Sequence, residues 1–582
     1  MMRKKIGTAM VVGAGISGIR TALDLAEFGY GVTLVDKSPN IGGILSQLDY
    51  QFPTNGCGMC KMLPLVNRDA SSQYCLRKGL FHENIKIISG ARLTSFEGES
   101  GNFKVKLEQK PSLVDPDLCI GCGKCTMVCP IEVPDSFNMG LSKRKAIYLP
   151  VPHNIPNTYV IDFINCNRCK ECISACPTNA IKFPEEKRKN FYILVVDDEL
   201  IVRDSLKEWL EYEGFSVDMA DSGKAALTML TKKEYHLMLT DIKMPGMGGG
   251  EVLTNAKKDF PDLAVVMMTA YATVKTAVEA MKTGAIDYLL KPFSPKIFIS
   301  KILEIYQALD VVEEREFEVN ALVLSAGTDY FDPLKSKNTY GYGVYPDIVT
   351  SREFERMLSG TGPCNGKIIR QSDQMPVRKI AWFQCVGSRD LQENADFCSS
   401  VCCMHAIKEA RLVKEKLGLD VEATIFYMDM RIFGKSFHQY QNLAIAENGI
   451  RFERSRVHTV IENKDVGGLQ VYYVDQKGIR HDEQFDMIVL SVGQRPSKDT
   501  DRLAKMAGLT LNDWGFCQPE PFSTSLSGRE GIVFGGSFSG LKDISESIIR
   551  SSSAALSASR FIHSSGGSLS SDPDFVPVFR DV

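Results

Sequence analysis

Two short runs constrain this chain more than any other feature: Cys119-Ile-Gly-Cys122-Gly-Lys-Cys125-Thr-Met-Val-Cys129-Pro130 and Cys166-Asn-Arg-Cys169-Lys-Glu-Cys172-Ile-Ser-Ala-Cys176-Pro177. Both have the spacing C-x2-C-x2-C-x3-C-P, in which three thiolates wrap one [4Fe–4S] cluster and the fourth reaches across to another. The expected ligand sets are Cys119, Cys122, Cys125 and Cys176 for one cluster, and Cys166, Cys169, Cys172 and Cys129 for the second. Zinc sites use ligand pairs set far apart, and disulfides do not require two identical spacings each followed by proline. The module, about 111–186, is expected to be ferredoxin-like (α+β) and to move single electrons.

Composition narrows the remainder. At 582 residues there is room for roughly four domains. A net charge of −3 argues against bulk nucleic-acid binding, and no apolar run is long enough to span a bilayer. Met1-Met2-Arg3-Lys4-Lys5 leads into a glycine-punctuated strand without a signal-peptide core. Seventeen cysteines without an export signal point to a reducing cytoplasm, where they serve as ligands or redox groups.

Ala9-Met-Val-Val-Gly13-Ala-Gly15-Ile-Ser-Gly18 reads as a buried strand turning into a helix through G-x-G-x-x-G, and Gly31-Val-Thr-Leu-Val-Asp36 as the next strand, ending in an acid. Gly13 permits the tight turn, Gly15 lets a pyrophosphate approach the backbone, and Gly18 allows close helix–strand packing. Asp36, followed by Lys37, is placed to bind ribose hydroxyls. Ile41-Gly42-Gly43 resembles the continuation seen in two-dinucleotide flavoproteins. Ala321 to Gly327 and Met487 to Gly493 resemble the segments where such proteins return to the flavin domain. Gly531-Ile-Val-Phe-Gly-Gly536 with Asp543 resembles their last flavin contact before a closing helix, Ile544 to Arg560. The implied cofactor is FAD, with contacts at Gly42, Gly43, Gly327, Gly493, Gly536 and Asp543. The implied α/β domain is discontinuous: about 1–110, 317–370 and 490–563, before a Ser/Gly-rich mobile tail, 564–582.

Two further units interrupt it. One, 371–489, stands where a pyridine-nucleotide domain is expected, but Lys379-Ile-Ala-Trp-Phe-Gln384 runs into Cys385-Val-Gly-Ser-Arg389 without a glycine fingerprint. Cys385, Cys398, Cys402 and Cys403 amount to one cluster's ligands; structural thiols or a disulfide are the alternative. Cys57, Cys60 and Cys75 could serve a fourth cluster, a redox-active C-x-x-C pair or structure alone; Cys364 and Cys517 read as structural. Lys408, on the helix of Cys403, either approaches the flavin and stabilises its anionic reduced form or is a solvated helix residue.

The series Gln384-Cys-Val-Gly-Ser-Arg389, Cys398-x3-Cys-Cys403 and Lys542-Asp-Ile544, with Gly13-x-Gly-x-x-Gly18 and the two cysteine runs, resembles the flavoprotein A subunit of heterodisulfide reductase and its bacterial relatives. The resemblance covers nearly everything outside 190–309. It implies a thioredoxin-reductase-like FAD fold, several clusters, and electron transfer among partners. Those partners would be other heterodisulfide-reductase-like subunits, ferredoxin, or hydrogenase- or NADH-dehydrogenase-type donors. The flavin of such complexes can split electron pairs. The chain stops soon after the closing helix, so the extra C-terminal cluster module of some relatives is not expected.

The remaining unit, about 190–309, lies between the charged linkers Glu185-Glu-Lys-Arg-Lys189 and Glu313-Glu-Arg-Glu316 and alternates strands with helices. Asp197, Asp198, Asp241, Thr269 and Lys291 all fall at strand ends, which a doubly wound (flavodoxin-like) parallel sheet gathers at one edge. Carboxylates there can hold Mg2+, Asp241 can act as the phosphoryl-accepting nucleophile, and Lys291, before a candidate cis Pro292, would neutralise phosphoryl oxygens. The segment resembles a response-regulator receiver, which implies Mg2+ on Asp197, Asp198 and Asp241, a relay through Thr269 with Tyr271 or Tyr288, and a sensor histidine kinase as partner. The leading expectation is an electron-transfer subunit of an oxidoreductase complex whose receiver adjusts it. The alternatives are a redox-sensing signalling protein and an independent NAD(P)H-dependent flavin oxidoreductase.

Overall fold

The computed structural model describes residues 7–48, 82–110, 112–151, 155–162, 165–183, 187–260, 263–270, 283–310, 313–336, 340–434, 436–463 and 467–564. Three five-stranded parallel sheets organise these residues. The first has the spatial order Ile532–Phe534, Ala321–Leu324, Thr8–Val12, Gly31–Asp36, Ile85–Ser89. Strands covered on both faces need continuous apolar sequence, and Ala9 to Val11, Ala321 to Leu324 and Ile532 to Phe534 are all buried. The helices Ile16–Glu27 and Ile544–Ser564 meet through small side chains, Ala22, Ala26, Ala554, Ala555 and Ala558, which lets them lie close together against that sheet.

Asn102–Gln109 pairs antiparallel with Glu313–Val319, Gln109 standing opposite Glu313. The chain therefore leaves the domain of the first sheet and re-enters it at adjacent ladder positions, and everything between is one excursion. Glu313-Glu-Arg-Glu316 is thus a strand and not the expected linker. On this edge strand Glu314, Glu316 and Glu318 are exposed while Phe317 and Val319 are buried, an alternation masked in sequence by the density of charge. Glu316 bonds across the pair to Lys106 at 3.1 Å.

The excursion holds two units. In the first, the five-residue helices Lys124–Val128 and Glu171–Ala175 pack together, flanked by two small antiparallel ribbons, and a bridge between Val114 and Ile181 closes the module. The second has the sheet order Ser216–Ala220, Tyr192–Val196, Leu237–Asp241, Ala264–Thr269, Asp287–Leu290, the flavodoxin-like arrangement. Its two ends meet, with the Phe191 and Tyr306 rings 5.0 Å apart. In the preceding segment Arg188 is buried and bonded to the Glu213 carbonyl and carboxylate, so this end of the first linker packs on the unit it was expected only to tether.

The third sheet runs Ile348–Thr350, Met487–Val492, Lys379–Val386, Glu422–Tyr427, Arg451–Arg454. Two expected boundaries shift here. Ile348–Thr350 and the helix Ser351–Leu358 belong to this unit, not to a flavin segment ending at 370. Met487–Val492 pairs with Lys379–Val386 and with Ile348–Thr350 rather than rejoining the flavin sheet. The closing helix extends to Ser564, and the rest of the expected tail lies outside the described residues.

Candidate functional site

A cavity of about 600 Å3 opens at the carboxyl edge of the first sheet, where open α/β sheets bind ligands. Its floor is the Gly13 turn. Gly13 has φ of 102°, and a Cβ there would lie 2.2 Å from the Ser325 carbonyl; one on Gly18 would lie 1.7 Å from the Gly13 carbonyl. Gly15 has nothing within 4 Å of its Cβ position, so the backbone at the start of Ile16–Glu27 faces open space. A dinucleotide pyrophosphate fits that cradle, with helix amides and dipole directed at it. Asp36 accepts the Ala14 N–H at 2.6 Å and the Ser38 N–H at 2.8 Å, and burial raises its carboxyl above the ordinary range. Gly42, Gly43, Gly327 and Asp543 line the cavity; so does Lys37, which is ion-paired to Asp499. Asp543 also caps Ile544–Ser564, accepting the Glu546 N–H at 2.7 Å.

Gly536 and Gly493 act differently. A Cβ on Gly536 would lie 1.8 Å from the Ser17 hydroxyl oxygen, so this glycine joins the closing segment to the first helix. Gly493 is not at this cavity. It packs on Gly387 and Ser388 in the third unit, with 2.7 Å between a Cβ there and the Ser388 Cβ, because the strand before it belongs to the third sheet.

The other walls come from the two cysteine-rich units. Ser136, Phe137, Tyr148, Pro150 and Val151 reach in from the ferredoxin module, and Met404, His405 and Lys408 from the helix Cys402–Leu417, with Val401 just before it. Arg356, 1% exposed, ties these parts together. It donates to Asn138 at 3.0 Å and to the Gln47 carbonyl at 2.9 Å, and its guanidinium lies 4.3 Å from the Phe137 ring centroid.

Behind the cavity wall sits a buried charge cluster. Lys408 donates to Glu355 at 2.5 Å, and His405 Nε2 lies 3.1 Å from the same oxygen. Glu409 accepts the Trp382 indole N–H at 3.0 Å. Burial pushes the Glu409 carboxyl up to about 7, whereas at Glu355 the opposing pull of Lys408 and His405 outweighs burial and holds the carboxyl low. Lys408 is therefore neither of the bare alternatives: it lines the cavity, but it is buried with its charge matched by Glu355.

Cys402 and Cys403 open the same helix that carries His405 and Lys408. Cys402 has Cys403, Cys385 and Cys398 as charge neighbours, and Cys403 has Cys385 and Cys398. Cys385 stands at the end of the central strand Lys379–Val386 in the left-handed conformation, φ 64°. Burial raises the Cys385, Cys402 and Cys403 thiols. Beside them Arg389 bonds to Asp429 at 2.7 Å and hydrogen-bonds the Cys385 thiol. Four neighbouring thiols with a guanidinium beside them suit a [4Fe–4S] group, whose binding would remove the thiol protons. No disulfide joins them.

In the ferredoxin module Cys125 has Cys119 and Cys122 as neighbours, while Cys172 has Cys166, Cys169 and, from the other run, Cys129. Cys129 thus lies beside the thiols of the second run. Burial pushes Cys125 up to about 12 and Cys172 up to about 11. Cys176 packs in the same apolar cluster as Cys119 and Cys125, its sulfur accepting from the Ala180 N–H at 3.3 Å. Cys122 and Cys169 are exposed.

At the receiver-like edge Lys291 donates to Asp197 at 2.6 Å and to Asp241 at 2.8 Å, and the bond to Pro292 is cis. These bonds raise the Lys291 ammonium against the effect of burial. Asp241 also accepts the Lys243 N–H at 2.8 Å. Thr269 is buried at the end of its strand, Asp198 is exposed beside Asp197, and Tyr288 is 41% exposed. Tyr271, Cys57, Cys60 and Cys75 lie outside the described residues.

Three family models match: a response regulator receiver domain over 193–303, a 4Fe-4S dicluster domain over 118–181, and an NAD(P)-binding Rossmann-like domain over 11–59. An iron-sulfur A subunit of CoB–CoM heterodisulfide reductase from Methanopyrus kandleri is 32% identical over 94% of this chain. The A subunit of the H2:CoB-CoM heterodisulfide,ferredoxin reductase from Methanothermobacter thermautotrophicus is 30% identical over the same share. The chain resembles the heterodisulfide reductase A subunits throughout, and it carries a receiver domain. It spans 63% of the length of those two relatives. A receiver from Methanospirillum hungatei of known structure is 35% identical and covers 21% of this chain and 96% of its own, with a TM-score of 0.20; the receiver assignment rests on the family model and the sheet order.

Several residues that shape the cavity of this heterodisulfide-reductase-like chain carried no readable signal. Glu355 and Arg356 sit mid-helix as charged residues, which ordinarily face solvent. Thr350 and Glu353 form a capping box that marks the helix start, yet nothing local announces that its charged face is buried. Tyr148, Pro150 and Val151 belong to one unit and serve another, which only the tertiary fold reveals.

Proposed function

We propose that this chain is the FAD- and [4Fe–4S]-bearing electron-transfer subunit of a heterodisulfide-reductase-like oxidoreductase complex, working in a reducing cytoplasm and active with partner subunits. One observation carries the reading: a single flavin-sized cavity is walled by the ferredoxin module on one side and by the helix holding Cys402 and Cys403 on the other. FAD bound there would accept and release electron pairs. Gly13, Gly15 and the first turn of Ile16–Glu27 hold its pyrophosphate, and Asp36 orients a ribose. Tyr148 and Val151 exclude water on the ferredoxin side, and the Glu355–Lys408 pair fixes a charged wall on the other. Two cluster-bearing exits from one flavin suit the splitting of electron pairs between two acceptors. Asp241 accepts a phosphoryl group with Mg2+ on Asp197 and Asp198, and a sensor kinase's signal thereby adjusts transfer.

The independent NAD(P)H reductase fits less well. At the carboxyl edge of the third sheet, where a nicotinamide dinucleotide would lie, the cavity bordered by Cys385, Tyr427 and Arg456 is about 40 Å3, against several hundred for ligand sites. The test is anaerobic reconstitution with iron, sulfide and FAD. Removing Cys402 and Cys403 together should cost about four irons and one paramagnetic signal after dithionite reduction, with the ferredoxin signals intact. Unchanged iron and spectra would remove the third cluster from the reading.

A further inference from the structure

A flavin that takes up two electrons and one proton gains one negative charge, and a positive group nearby favours that form. Most of the charged groups around the cavity have partners. Lys37 is joined to Asp499, and Lys408 and His405 to Glu355, whereas Arg352 meets the neutral Gln47 side-chain oxygen at 2.7 Å and the Tyr330 ring. Asp36 is engaged by two backbone amides, Asp329 by the Lys498 N–H, and Asp543, beside Lys542 in the chain and also on the cavity wall, by the Glu546 N–H. Lys542, like Arg352, donates to a neutral oxygen, and it alone of the two stands at the start of the closing helix. It lines the cavity at the entrance to Ile544–Ser564, and its ammonium donates to the Gly540 carbonyl at 2.9 Å. Glu546 and Arg550, on the helix that follows, are its charged neighbours, and their effects oppose each other.

We propose that Lys542 is the positioning cation for the reduced cofactor: its ammonium balances the negative charge that FAD gains on reduction. This deepens the flavin reading above and rests on it. The helix that starts at Ile544 adds its positive end on the same side. Burial, the larger influence, together with Arg550 brings the Lys542 ammonium down to about 8, so an unmatched cation is already costly there and a nearby anion relieves it. The role considered for Lys408 passes to Lys542, because Glu355 already cancels the Lys408 charge.

The experiment is a spectroelectrochemical titration of the flavin in the FAD-loaded full chain, from pH 6 to 7.5, for the wild type, Lys542→Met and Lys542→Arg. Stoichiometric flavin absorbance in the wild type tests the cavity assignment; its failure would sink that reading before Lys542 is considered. With FAD bound, Lys542→Met should weaken the preference for reduced over oxidised flavin at least tenfold, about 30 mV for a two-electron couple. One proton per two electrons should give a slope of about 30 mV per pH unit in the wild type, and two should give about 60 mV in Lys542→Met. Lys542→Arg should keep the wild-type slope. If Lys542→Met loses FAD, the comparison passes to Lys542→Gln, which keeps the polar stem. An unchanged potential and slope in a flavin-loaded neutral variant overturns the proposal, and so does an arginine variant that behaves like methionine.

Discussion

Replacing Glu355 by glutamine strands the Lys408 ammonium in a site where both side chains are 3% exposed or less. Breaking a buried pair from one side costs up to about 3–5 kcal/mol, and the Glu409 carboxyl, a second neighbour of Lys408, offsets part of that here. Lys408→Met is expected to cost less, about 2–3 kcal/mol within that frame, since His405 at 3.1 Å remains to share charge with Glu355. The double variant Glu355→Gln/Lys408→Met buries no unmatched charge at this pair, so its penalty should fall below that of Glu355→Gln alone, leaving a coupling of at least about 2 kcal/mol. Trp382 reports on the region directly, being fully buried and bonded to Glu409. With Trp209 and Trp514 changed to phenylalanine it is the one remaining tryptophan of three. Urea unfolding followed through its emission completes the cycle. The pair's stability is present at neutral pH and is lost on acidification below 4.5, since Glu355 is held low in the fold. Penalties that add within about 0.5 kcal/mol would refute the coupling.

Glu409→Gln should stabilise the same region with the opposite pH dependence. Its folded carboxyl is raised from 4.5 to about 7, so the benefit is absent below pH 4.5 and grows to on the order of 2 kcal/mol by pH 7; a flat difference across that window would contradict the burial argument. Gly15→Val should preserve the melting temperature and abolish FAD binding, because its side chain enters open cavity, while Gly18→Ala should lower stability through its 1.7 Å clash with the Gly13 carbonyl. Asp241→Asn should remove Mg2+-dependent labelling by acetyl phosphate; persistent label would transfer the acceptor role elsewhere.

Covalent regularity made most of this molecule legible. The cysteine runs state their ligand spacing outright, Gly13 to Asp36 spell strand, turn, helix and acid in order, and the receiver's strand-end residues meet because a parallel sheet puts all its carboxyl ends on one edge. What stayed hidden depended on which sheet a strand joins. Met487–Val492 is equally apolar in either sheet, so sequence could not tell a return to the flavin domain from a central strand of its neighbour, and Gly493 was misplaced with it. Glu313–Val319 was hidden by charge, since an edge strand exposes alternate residues and here those are glutamates. Glu355, Arg356 and Glu409 were hidden because their burial is made possible by partners far away in sequence.

The most direct test of the flavin as a junction fed through clusters is an anaerobic titration of the reconstituted full chain with NADH, NADPH and dithionite, following flavin bleaching and cluster spectra together. The expected result is no stoichiometric bleaching by either nicotinamide, and reduction of clusters and flavin by dithionite. Rapid bleaching by NADH or NADPH at one equivalent would contradict it, for it would require a hydride-donor site that the 40 Å3 cavity at the third sheet leaves no room for.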